Sequence, residues 1–89
     1  MMLYTVKYRS RTDIIVSMLE AARLETTKTR IMYLSYLSSH QLGTYLQLVI
    51  TNGLVEYDSA RQRYWTTEKG LRLLELYNNI GKLELATSL

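Results

Sequence analysis

The 89-residue chain contains no cysteine and no proline, and only one histidine, one tryptophan and four glycines. Without cysteine there is neither a disulfide framework nor a thiolate zinc site, so a reducing compartment is permitted. The lack of proline and of low-complexity tracts leaves nothing that reads as a linker, and residues 1–89 are expected to form a single domain. No apolar run approaches the roughly 20 residues of a membrane span, and the opening MMLYTVKYRS carries its charges after its apolar residues. The expectation is a soluble cytoplasmic protein with no membrane partner. Catalytic equipment is also missing. There is no glycine-rich phosphate loop, and Glu25, Glu56, Asp58 and Glu68 are scattered without a paired carboxylate or a base beside a nucleophile. No enzyme, cofactor or metal site is expected, because His40 would need ligating companions that the sequence does not supply.

What the chain does have is basic charge, unevenly placed. Eleven basic residues against eight acidic ones give a net charge of +3. Residues 1 to 53 hold six basic residues (Lys7, Arg9, Arg11, Arg23, Lys28, Arg30) and three acidic ones (Asp13, Glu20, Glu25), while the remainder holds five of each. The whole surplus therefore lies in the first part. Together with a pI near 9.3, it is compatible with a polyanionic partner. A chain of this length buries only roughly 60 to 65% of its unfolded surface, so association with a second copy is a natural supplement.

Along the chain, LYTVKYRS alternates and contains β-formers, which predicts a strand or extended arm over residues 1–10. TDIIVSMLEAAR predicts a first helix from about Asp13 to Arg23, with Thr12 as N-cap and Ile14, Ile15, Met18, Leu19 and Ala22 on one stripe. After the polar break LETTKT, Thr26 or Thr27 is placed to cap a second helix of about Lys28 to Tyr36. Ile31 and Leu34, with Met32, would form its inner side. A third helix is marked most clearly. Ser38 and Gln41 form a capping box, Leu37 and Leu42 a hydrophobic staple, and Gly53 a left-handed stop, so the helix should run from about Ser39 to Asn52. Its apolar stripe is Leu42, Tyr45, Leu46, Val49 and Ile50; the other face, Ser39, His40, Gly43, Thr44, Gln47 and Thr51, is small, polar and uncharged. LVEY and RYWT, separated by the polar turn DSARQ, then read as a hairpin.

Thr67 caps a last helix, TEKGLRLLELYNNIGKLEL, which carries two stripes. Leu71, Leu74 and Tyr77 can pack on the body of the domain, while Leu73, Leu76, Ile80 and Leu83 follow a 3-4-3 spacing like a and d positions. The chain offers no further element to cover the second stripe. A homodimer through this helix is the expectation. Gly70 and Gly81 should each weaken the helix by roughly 1 kcal/mol relative to alanine.

The order of arm, helix, helix, turn, helix, hairpin and helix is that of a winged helix, a mainly α fold with a small β-hairpin (α+β). The stretch TTKTRIMYLSYLSSHQLGTYLQLVITNGLVEY, followed by RYWTTEKGLRLLELY, resembles the small archaeal winged helix-turn-helix DNA-binding proteins. These open the second helix with K-T-x-I-M-Y, place Y-L inside the third, leave it through G-L-[IV], and enter the last helix through Y-x-x-T-x-K-G. The counterparts here are Lys28, Thr29, Ile31, Met32 and Tyr33; Tyr45 and Leu46; Gly53, Leu54 and Val55; and Tyr64, Thr67, Lys69 and Gly70. The resemblance covers about residues 10 to 80. It implies a transcriptional regulator or chromatin protein, cytoplasmic and nucleoid-associated, in a family several of whose members dimerise through the last helix as an antiparallel coiled coil. Two departures stand out. The last helix is short for a long coiled coil, and His40 stands where the family often has another polar or aromatic residue.

On this reading the parts of the chain are an arm or strand (1–10), helix-turn-helix plus wing (11–67) and a dimerisation helix (68–89). The partner is double-stranded DNA. The third helix enters the major groove, where Ser39, His40, Thr44 and Gln47 reach base edges and Gly43 lets the backbone approach. Lys28, Thr29 and Arg30 hold phosphates at the start of the second helix, and Arg9 and Arg11 add to them from the arm. Arg61, Gln62 and Arg63 contact the backbone or minor groove from the wing. The competing reading is a winged-helix protein-interaction module without DNA binding. It would be expected to expose apolar anchors on the third helix.

Overall fold

The computed structural model describes residues 9–88, and their side chains as far as Ile80. Most of the expected arm thus lies outside the described residues. The elements run α1 (Arg11–Ala21), α2 (Lys28–Ser35), α3 (Ser39–Thr51), β1 (Val55–Asp58), β2 (Arg63–Thr66) and α4 (Glu68–Ser88). This is the helix-turn-helix, hairpin and terminal helix that the sequence predicts.

Helix α1 starts two residues earlier than expected, and its cap is Ser10 rather than Thr12. Asp13 decides this. Its backbone N-H donates to the Ser10 hydroxyl (3.0 Å) while its carboxylate accepts from the Ser10 N-H (3.1 Å), a reciprocal box that Thr12, followed three residues on by Ile15, cannot form. Ile14, Met18, Leu19 and Ala22 are buried and Ile15 half-buried, as the stripe requires.

Helix α2 is capped by Thr27, whose hydroxyl accepts from the Arg30 N-H at 3.2 Å. It ends at Ser35 because Tyr36 adopts the left-handed conformation (φ 54°, ψ 49°), a reversal more often made by glycine. Ile31 and Ser35 are buried and Met32 half-buried. Leu34, expected on the inner side, is exposed: with Ile31, Met32 and Ser35 defining the buried arc of a two-turn helix, its direction falls outside that arc. Helix α3 keeps its predicted box between Ser38 and Gln41 and its predicted stop at Gly53, which has φ +73°. Leu42, Leu46 and Val49 are buried and Tyr45 is half-buried, but Ile50 lies at the edge of the stripe and is exposed.

The hairpin pairs Val55 with Thr66, Glu56 with Trp65, Tyr57 with Tyr64 and Asp58 with Arg63. Val55, Tyr64 and Thr66 face inward, Tyr57 stacks on Tyr64 with ring centroids 4.4 Å apart, and Trp65 is half-buried on the opposite face. One feature was not anticipated. Thr26, within the polar break, exchanges two backbone hydrogen bonds with Tyr64 (2.9 and 2.8 Å), adding a one-residue third strand. Thr66 completes the attachment, donating its N-H to the Ala22 carbonyl (2.8 Å) and its hydroxyl to that of Leu19 (2.7 Å). The hairpin is thereby fixed to the end of α1.

Thr67 starts α4 as predicted, accepting from the Gly70 N-H (3.1 Å) while donating to the Gly53 carbonyl (2.6 Å). Leu74 is fully buried beneath it. Leu71 and Tyr77, expected to pack beside Leu74, remain partly open to solvent at 39% and 37%; Tyr77 instead reaches Asp13 with its hydroxyl at 2.8 Å. Among the described residues no helix is long and apolar enough to cross a membrane.

Candidate nucleic-acid interface

The polar face of α3 is fully displayed: Ser39, His40, Gly43, Thr44 and Gln47 are all exposed. Capping explains which of the neighbouring side chains are already engaged. Ser38 and Gln41 satisfy each other's backbone N-H groups, and the Thr44 hydroxyl donates to the His40 carbonyl at 3.3 Å. The side chains of Ser39, His40 and Gln47 make no hydrogen bond among the described residues. A Cβ added at Gly43 would meet nothing within 4 Å, so no internal packing requires a glycine there.

The start of α2 and the wing come together. Thr27, Lys28 and Thr29 on one side and Tyr57, Gln62 and Arg63 on the other line a cleft of about 570 Å³. The three residues at the helix start, Lys28, Thr29 and Arg30, are exposed. Two adjacent backbone N-H groups at a helix start, with a positive dipole end behind them, form a seat for an anionic oxygen. Arg63 braces the hairpin tip, its guanidinium donating to the carbonyls of Arg61 (3.0 Å) and Gln62 (3.4 Å). Lys28, Arg30 and Arg63 form no ion pair among the described residues.

Arg61 differs from its neighbours. Its guanidinium is paired with the Glu25 carboxylate and, at 3.6 Å through Nε, with that of Asp58. Arg9 is also engaged, donating to the Tyr36 carbonyl at 3.1 Å, while Arg11 is exposed at the start of α1. The partnership of Glu25 with the wing was not found from the sequence, where Glu25 reads as one scattered carboxylate among several. Only the Thr26 bridge to Tyr64 brings it there. The sequence does not mark two aromatics as exposed. Tyr33 on α2 and Tyr36 in the turn are 71% and 84% exposed.

Among the described residues two groups titrate away from their ordinary range. The Tyr77 hydroxyl, with the backbone N-H and the hydroxyl of Ser10 behind it, holds the Asp13 carboxyl below the usual carboxylate range. Burial, and secondarily Tyr57, pushes the Tyr64 phenol up. Neither lies among the proposed base-reading groups. Among the described residues no cluster of three or more His, Cys, Asp or Glu side chains could hold a metal ion.

Comparison with known proteins bears on the fold and the family. No curated protein matches the sequence. Among solved structures, the fold is similar to that of Sso10a-2, described as a DNA-binding protein from Sulfolobus solfataricus, with a TM-score of 0.73 and 21% sequence identity over 90% of this chain and 86% of that one. The sequence itself matches the winged helix-turn-helix family over residues 8–85. Since that match spans nearly the whole chain, from the residue before Arg9 into the last helix, the protein belongs to the winged helix-turn-helix family.

Proposed function

We propose that the protein binds double-stranded DNA as a homodimer and acts as a transcriptional regulator or nucleoid-associated protein in the cytoplasm. The observation that carries the proposal is the convergence of Lys28, Thr29, Gln62 and Arg63 on one cleft. Such a seat suits the phosphate backbone, while the exposed face of Ser39, His40, Gly43, Thr44 and Gln47 suits the major groove. Arg30 adds charge beside the seat. Readout would be modest. Glutamine can pair bidentately with adenine, serine and threonine accept either base, and no arginine on α3 offers the commonest guanine contact.

Dimerisation would use the second stripe of α4, in keeping with a division into arm (1–10), helix-turn-helix and wing (11–67) and dimerisation helix (68–89). Leu73 is half-buried, but Leu76 and Ile80 are 56% and 49% exposed, and every residue from Glu75 to Ile80 is exposed. Leu83 continues the same spacing. Helical turns without an apolar partner are marginal in water, so a second copy packing on this stripe would supply a partner that the described residues do not.

The alternative, a protein-interaction module, draws support from Tyr33, Leu34 and Tyr36, which leave apolar surface open on and after α2. The test is duplex binding by Lys28→Ala/Arg63→Ala beside the unaltered protein. Losing two phosphate contacts should lower the log-log salt slope by about 1.8 at roughly 0.9 per phosphate. An unchanged slope would remove the cleft from the interface, and the absence of duplex binding by either protein would favour the interaction module.

A further inference from the structure

The wing tip contains an arginine that is already answered. Arg61 is half-exposed, yet carboxylates hold its guanidinium from two sides, Glu25 at Nη2 and Asp58 at Nε. The two acids are not equivalent. Asp58 is committed to the turn, its Oδ1 accepting from the N-H groups of Ala60 (3.0 Å) and Arg61 (3.4 Å). Glu25 comes from the α1–α2 connection, and its carboxylate has no partner among the described residues other than Arg61. It is brought to the wing by its neighbour Thr26, whose backbone pairs with Tyr64. Arg63, two residues from Arg61, has no carboxylate partner among the described residues and lines the basic cleft.

We propose that Glu25 is a positioning residue that occupies Arg61 as an internal stand-in for a DNA phosphate, so that Arg61 engages a duplex only by exchanging this carboxylate for a phosphate. The inference rests on the DNA-binding reading and adds to it a device that tempers affinity. The physics permits the exchange. Both side chains are about half exposed, so their ion pair is solvated, screened and weak. A phosphate oxygen on the polyanionic duplex presents the same chemistry, and its capture releases counterions as well. The energy of the carboxylate pair is lost when the phosphate arrives, and the wild-type protein therefore binds less tightly than it would with Arg61 unengaged.

The test is a double-mutant cycle with Glu25→Gln, Arg61→Gln and the combined variant, read by fluorescence anisotropy on a duplex of ~30 base pairs. Circular dichroism verifies that each variant is folded. Glu25→Gln should tighten binding about threefold, within the range set by a surface ion pair, and Arg61→Gln should weaken it. In the Arg61→Gln background Glu25→Gln should give only the small gain that follows from removing any surface carboxylate. Removing any surface carboxylate attracts DNA somewhat, but that general effect would persist in both backgrounds. An equal gain in both, or no gain in either, overturns the inference while leaving DNA binding intact. Failure of all four proteins to bind any duplex would overturn the DNA-binding reading, and the inference with it.

Discussion

Gly70 and Gly43 are both helical glycines, and propensity alone assigns them the same cost of roughly 1 kcal/mol relative to alanine. Their surroundings separate them. A Cβ at Gly70 would collide with the Leu54 carbonyl oxygen and approach the Thr66 methyl to 2.5 Å, because the start of α4 crosses the entrance to the hairpin there. Gly70→Ala should therefore lower stability by about 1 to 3 kcal/mol in spite of the better helix former, measured by urea denaturation. At Gly43 the space is open. Gly43→Ala should raise stability by roughly 0.5 to 1 kcal/mol and, if α3 enters the groove with its backbone close to the bases, weaken DNA binding. A stabilised variant with undiminished affinity would remove Gly43 from the interface. Tyr36 teaches a related lesson. The sequence marks a turn without a glycine, and a tyrosine takes the left-handed position that only the fold could reveal.

At the scale of the element, local signals were legible and long-range ones were not. The box of Ser38 and Gln41, the stop at Gly53 and the cap at Thr67 are legible in the sequence, because each depends on residues no more than a few positions apart. The cap of α1 lies two residues before the expected Thr12 because aspartate at the third helical position closes the box as glutamate would. The exposure of Leu34 and Ile50 turns on where the centre of the buried arc falls, which packing decides. The Thr26 bridge, and the Glu25–Arg61 pair that follows from it, join segments nearly forty residues apart. Nothing local encodes that pairing.

Two predictions belong to elements. Asp13 links α1 to α4 through Tyr77, whose hydroxyl, ahead of the Ser10 groups, depresses the carboxyl pKa in the folded state. A depressed carboxyl contributes stability above its unfolded pKa of about 4, and that contribution is lost as pH falls through the lower folded value. The thermal midpoint should fall on acidification below pH ~4, and less so in Asp13→Ala. Identical acid dependence in the two proteins would show that the link is inert. The exposed stripe of α4 makes the second prediction: the parent should sediment as the proposed dimer, and Leu76→Gln/Ile80→Gln as a monomer at the same concentration. A monomeric parent would contradict the dimer directly.

For the whole molecule, the winged-helix order followed from the run of caps, stripes and turns. The interface required knowing which basic groups the fold leaves unengaged. Lys28, Arg30 and Arg63 have no ion pair among the described residues, whereas Arg61 is held by Glu25 and Asp58 and Arg9 by the Tyr36 carbonyl. The sequence treats these five cations alike. The most direct measurement is the affinity of the unaltered protein for a random-sequence duplex of ~30 base pairs over a series of salt concentrations. DNA binding through the α2 start and the wing predicts micromolar or tighter affinity at ~50 mM salt, falling with a log-log slope of about 2 to 4 per protomer. No binding at that salt, or binding whose strength ignores salt, would contradict the account.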